Sequence, residues 1–163
     1  MVNMKPRVYV ETSVISYLTA RSSSNILLLA RQQFTRELWD LQPSHFEAWL
    51  SPLVLDEASR GDSSAAANRL QVCHGLPELE ITGSAKTFAQ QLVDVGAVPP
   101  TEPEDALHIA LATVHAMDYI ASWNFAHLVG PAARFKLQST ISALGQKPPI
   151  IATPEEIFEE LTL

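Results

Sequence analysis

The chain has 163 residues, 47% of them hydrophobic and 18% charged, with a formal net charge of −7. That apolar share is enough for a buried core and excludes a disordered chain, while the negative charge argues against a protein that grips nucleic acid through a broad basic face. One cysteine, Cys73, excludes an internal disulfide, and the longest apolar run, Ile26–Ala30, is far short of the roughly 20 residues of a membrane span.

In chain order, Met1 to Arg7 is mildly basic and leads into β-type residues rather than into an apolar leader core, so a soluble cytoplasmic protein is expected. Arg7–Glu11 reads as a first strand, ending in Thr12-Ser13, a pair suited to capping a short helix over Val14–Leu18. Ser24 is the expected cap of a helix to about Asp40, in which Ile26, Leu29, Ala30, Phe34 and Leu38 keep the helical period. Phe46–Leu50 reads as a second strand, and Ser51-Pro52 opens a helix to Arg60. Ser63 or Ser64 caps the next, which ends at Gly75 with Cys73 as a buried structural thiol. Leu79–Thr82 is an expected short strand, followed by a helix over Ser84–Val95. Thr101-Glu102-Pro103 opens a helix to about Met117, and Tyr119–Trp123 is a strand. Pro131–Leu144 is a helix, Ile150-Ile151 a last strand, and Thr153-Pro154-Glu155-Glu156 a capping box that starts a C-terminal helix. Strands alternating with helices imply one domain over 1–163, with three α/β/α layers around a mostly parallel sheet of about five strands.

In such a sheet, ligands bind beyond the carboxyl ends of the strands. Glu11 ends the first strand, Asn124 follows the Tyr119–Trp123 strand, Asp105 lies in the first turn of the helix before that strand, and Glu57 lies in the helix after the second. Three carboxylates and an amide converging there would offer hard oxygen ligands to Mg²⁺ or Mn²⁺. Each also has a structural reading: Asp105 could serve the helix dipole and Glu57 could be a solvated charge. Ser13 could bond Glu11 or substrate, or simply cap a helix. Arg134 and Lys136 could hold phosphates or line a solvated face. His108 reads as a packing histidine, and His115 and His127 as structural or solvated. The tryptophans Trp39, Trp49 and Trp123 read as core.

The segment Val8-Tyr9-Val10-Glu11-Thr12-Ser13 resembles the opening of a PIN domain. Glu57 in Val54-Leu55-Asp56-Glu57-Ala58, Asp105 in Asp105-Ala106-Leu107-His108, and Asn124 after Tyr119-Ile120-Ala121-Ser122-Trp123 match that family's other three polar positions in order. The ending Pro148-Pro149-Ile150-Ile151-Ala152-Thr153-Pro154-Glu155-Glu156 is similar to that of VapC-type toxins. This resemblance covers nearly the whole chain. Glu11 and Asn124 stand where many members carry Asp. The resemblance implies a PIN-like fold and a Mg²⁺- or Mn²⁺-dependent endoribonuclease that cleaves RNA by activated water. In it Glu11, Asp105 and Asn124 would ligate the metal, and Glu57 would position water or a second ion. It further implies a homodimer neutralised by a small antitoxin protein.

Two other functions stay open: a PIN-like protein- or RNA-binding module that has lost catalysis, and a nuclease acting on DNA. The six glycines form neither G-x-G-x-x-G nor a P-loop, and no G-x-S-x-G occurs, which argues against a nucleotide cofactor or a serine nucleophile.

Overall fold

The computed structural model describes residues 4–163; Met1–Asn3, part of the basic N-terminal stretch, lie outside them. Among the described residues, four strands form one parallel sheet in the order β2-β1-β3-β4. They are β1 (Arg7–Val10), β2 (Glu47–Trp49), β3 (Tyr119–Ala121) and β4 (Ile150–Ala152). Strands covered on both faces must be apolar on both, and Val8, Tyr9, Val10, Ile120 and Ala121 are all buried. Helices flank the sheet: α1 (Thr12–Thr19), α2 (Ile26–Asp40), α3 (Pro52–Ala58), α4 (Ser63–Cys73), α5 (Gly83–Asp94), α6 (Pro103–Val114), α7 (Pro131–Ala143) and α8 (Pro154–Leu161). This is the α/β arrangement expected from the alternating pattern.

The sheet has four strands where about five were expected. No strand forms over Leu79–Thr82; the residue before it, Glu78, makes a single parallel bridge with Leu50, and the chain then leaves the sheet. Thr82 is engaged elsewhere, because its hydroxyl accepts the Ala85 N–H at 3.1 Å and caps α5. Two caps also differ. Asn25 rather than Ser24 caps α2, and Asp62 rather than a serine caps α4. Between β3 and α7, Phe125–Val129 forms one π-turn for which the sequence pattern gave no signal. Gly130 closes it, and a Cβ there would overlap the carbonyl oxygen of Phe125. Cys73 is free and buried, as expected; burial and the nearby Glu78 charge push its thiol up to about 11, far from a reactive thiolate.

Candidate metal centre

The strand order puts a topological switch at β1. The chain leaves β1 for β2 on one side and returns to β3 on the other, so the carboxyl ends of β1 and β3 border a crevice. Val10 pairs with Ala121, which makes Glu11 and Ser122 the next residues on neighbouring strands. The Glu11 N–H donates to the Ala121 carbonyl at 3.1 Å, extending the ladder by one bond. Helix α6 precedes β3 and runs back along the sheet, so its first turn, with Glu104 and Asp105, lies at this same end.

Glu11 is 6% exposed and tightly held. Its Oε1 accepts from the hydroxyls of Ser13 and Ser122, both at 2.6 Å, and its Oε2 accepts from the Ser13 N–H at 2.8 Å. Helix α1 therefore begins at Thr12 and is capped by Glu11 itself, not by the Thr12-Ser13 pair. A carboxylate has about four acceptor positions, so Glu11 keeps one, on Oε2, for a cation. The hydroxyl of Ser13 also accepts the Trp123 N–H at 2.8 Å, and that of Ser122 accepts the Asn124 N–H at 2.9 Å. Ser13, a candidate for substrate contact, is thus committed to placing Glu11 and Trp123.

Asp105 is half-buried, and its pKa is raised, first by burial and then by the Glu11 charge, against the lowering effects of the Asn124 amide, His108 and His127. Asn124 accepts the His127 N–H on its Oδ1 at 3.1 Å and so caps the π-turn. That turn brings the His127 ring back over α6. One ligand atom each from Glu102, Asp105 and His127 lie within 4.8 Å of one another. No Lys or Arg pairs with Glu11, Glu102 or Asp105 among the described residues. Carboxylate oxygens gathered without a positive partner, beside an imidazole, fit a divalent cation of the Mg²⁺ or Mn²⁺ type.

Glu57 joins this group indirectly. Its Oε1 accepts from the Thr12 hydroxyl at 2.7 Å and from His108 Nε2 at 2.5 Å. His108 is buried, and its Nδ1 lies 2.6 Å from the Tyr9 hydroxyl, which lies 2.8 Å from Ser51 Oγ. Burial alone would lower the His108 pKa, but the Glu57 hydrogen bond and the charges of Glu11, Glu57 and Asp105 outweigh it and raise it. With the proton on Nε2, every group in the chain from Ser51 to Glu57 is satisfied: Ser51 donates to Tyr9, Tyr9 to Nδ1, and Nε2 to Glu57. On the surface, Arg60 joins Asp56 at 2.6 Å and Glu104 at 2.8 Å, tying α3 to α6 near Glu57.

The structure thus brings together Glu11, Ser13, Asp105 and Asn124, with Glu57 attached through Thr12 and His108. Arg134 and Lys136 are not part of this group. Arg134 bonds Glu156 at 2.9 Å and the Val129 carbonyl at 2.7 Å, and Lys136 is exposed on α7. Sequence reasoning missed Glu102, Ser122 and His127, and took His108 for packing. Two signals were available: Ser122 holds in β3 the position that Glu11 holds in β1, and Glu102 and His108 each lie about one turn from Asp105. A separate cleft of about 530 Å³, lined by Pro6, Asp118, Tyr119 and Ile150, opens at the opposite, amino ends of the strands.

No protein-family model matches this sequence, and no curated protein matches it either. Solved structures do. VapC20 of Mycobacterium tuberculosis, a toxin that cleaves the sarcin–ricin loop, superposes with a TM-score of 0.57 at 16% identity, over 73% of this chain and 91% of that one. A chain of VapBC2 from Rickettsia felis, solved with a fragment of its promoter DNA, gives a TM-score of 0.57 at 10% identity, over 90% and 98%. The fold is that of VapC toxins. At these identities the likeness speaks for the PIN-like fold alone, and at that level the resemblance drawn from four short motifs holds.

Proposed function

We propose that the chain is an endoribonuclease that cleaves RNA with a bound divalent cation, Mg²⁺ or Mn²⁺, and acts as the toxin of a toxin–antitoxin pair. The observation that carries this reading is the cluster of Glu102, Asp105 and His127 at the switch point of the sheet, with the Glu11 charge acting on Asp105 and no Lys or Arg paired with these acids among the described residues. Asp105, with Glu102 and His127 within 4.8 Å of it, and Glu11 through its one open position, would hold the ion. Asn124 steadies Asp105 and keeps a lone pair of Oδ1 for the ion or its water shell. Glu57, fixed by Thr12 and His108, orients the attacking water. The ion itself supplies a Lewis acid that activates water and offsets phosphodiester charge. The sarcin–ricin loop named for VapC20 makes a structured RNA the first substrate to try. A protein partner, whether an antitoxin or a second copy in a homodimer, is supported by the bare apolar start of α2, where Ile26 is 85% and Leu27 59% exposed.

A binding module of the same fold draws on a different observation, that three of Glu11's four acceptor positions are already filled. Titration calorimetry with Mn²⁺ separates the two readings. The native chain is expected to bind Mn²⁺, and Asp105→Asn to lose about tenfold or more in affinity while keeping its circular dichroism, since removing one of several like charges relieves repulsion. A native chain that takes up no divalent cation would exclude the metal-dependent reading and leave the binding module.

A further inference from the structure

A groove of about 580 Å³, lined by Trp123 and Phe125 on either side of Asn124 in the chain, lies between α2, the π-turn and the start of α8, and the ribonuclease reading leaves it unused. Leu27, Phe34 and Val129 form its apolar floor. Phe125 directly follows Asn124 and is 41% exposed. Buried Trp123 backs it, with ring centroids 6.3 Å apart, and Tyr17 backs Trp123 at 5.6 Å. The Arg31 guanidinium lies over the Phe125 ring, 4.5 Å from its centre, and over that of Trp123 at 5.6 Å, so it covers one face of Phe125. No carboxylate pairs with Arg31 among the described residues, whereas Glu156 on the far rim is already taken by Arg134 at 2.9 Å.

We propose that this groove seats an unpaired RNA base beside the phosphodiester to be cut, with the base stacked on the face of Phe125 that Arg31 leaves open and the guanidinium edge of Arg31 facing the adjoining phosphate. The assignment rests on the ribonuclease reading and gives it a substrate subsite. Each part of a nucleotide finds its complement here. An exposed ring held rigid from behind suits a base of any sequence, because every base has a stacking face. Arg31, which pairs with no carboxylate among the described residues although Glu155 and Glu156 line the same groove, suits phosphate and would repel the basic segment of a protein partner. Because Phe125 follows Asn124 with no residue between, a base seated on it would bring its backbone toward the carboxylate crevice. Stacking without edge contacts gives a preference for unpaired loops over duplex RNA.

The test uses a short single-stranded RNA carrying one 2-aminopurine, titrated against the full chain in the Asp105→Asn background with Mg²⁺, so that cleavage does not consume the probe. Phe125→Ala is expected to weaken binding about tenfold and abolish the 2-aminopurine quench, and Phe125→Trp to restore both. Arg31→Ala is expected to weaken binding and lower the salt dependence by about one counterion. In the otherwise native chain, Phe125→Ala should leave Mn²⁺ affinity unchanged, which separates this subsite from the metal centre. RNA affinity indifferent to both Phe125→Ala and Arg31→Ala, in a chain that still cleaves RNA, overturns the subsite and leaves the ribonuclease standing. A native chain that neither binds nor cleaves RNA overturns both. An apolar helical peptide that shifts Trp123 emission, where RNA does not, overturns the proposal in favour of a protein-docking groove.

Discussion

Two hydroxyls, those of Ser13 and Ser122, fix the Glu11 carboxylate, and Ser122 also takes the Asn124 N–H. Ser122→Ala leaves Glu11 one donor short and orphans a part-buried N–H, a loss of about 1–3 kcal/mol. Thermal unfolding should show the lower stability, and Mn²⁺ calorimetry a weaker site; a variant equal to the native chain in both would remove Ser122 from the centre. Asn124→Asp adds a charge next to Asp105, whose pKa is already raised by burial and by Glu11. It should bind Mn²⁺ more tightly yet unfold at lower temperature without metal, since the same repulsion that favours the ion opposes the empty site. A variant unchanged in both respects would place Asn124 outside the ion's reach. Glu11 and Asp105 were legible in the sequence because an acid straight after an apolar strand, and an acid in the first turn of the helix feeding the next strand, must arrive at one sheet end. Glu102 and His127 were not, because their meeting depends on the π-turn at Phe125–Val129, and no propensity marks a π-turn.

Helix α8 was readable in full from Thr153-Pro154-Glu155-Glu156. The Thr153 hydroxyl accepts the Glu156 N–H at 3.2 Å, and Glu156 Oε1 accepts the Thr153 N–H at 2.9 Å, which is the reciprocal box the four residues foretell. What the local pattern could not give is that Glu156 also receives Arg134 from α7. Burial works against the ionised Glu156, but Arg134 and Thr153 outweigh it and hold its pKa below the ordinary carboxylate value. A depressed carboxylate contributes stability that is present above its unfolded pKa of about 4.3 and is lost as pH falls through the lower folded value. Glu156→Gln should therefore melt below the native chain at neutral pH, with the gap closing in acid; a gap that persists at about pH 2 would mean that packing, not charge, holds α8. The Leu79–Thr82 segment shows the opposite limit of local reading. Its residues suit a strand, yet Thr82 is bound to the next helix as a cap, and the only bridge here among the described residues is made by Glu78, just before the segment.

For the whole molecule, alternation of elements was enough to set the parallel sheet and its helical layers, because parallel strands need crossovers and crossovers put helices on the faces. The order β2-β1-β3-β4 then locates the crevice without reference to any side chain. Whole-chain charge was less informative. The −7 suggested a poor nucleic-acid binder, yet the acids that matter gather at the switch point while Arg31 stays free of them beside Phe125. Where charge sits, not its sum, decides what such a surface can hold. If these acids make the chain a metal-dependent ribonuclease, cleavage of a structured RNA depends on both the acids and the ion. The native chain and Asp105→Asn, purified identically, are incubated with the RNA in Mg²⁺, in EDTA, and in EDTA overcome by excess Mn²⁺. The native chain is expected to make discrete cuts with either ion and none in EDTA, and Asp105→Asn to cut more slowly by about 100-fold or more. Equal cleavage by both proteins, or cleavage that persists in EDTA, would contradict the metal-dependent reading.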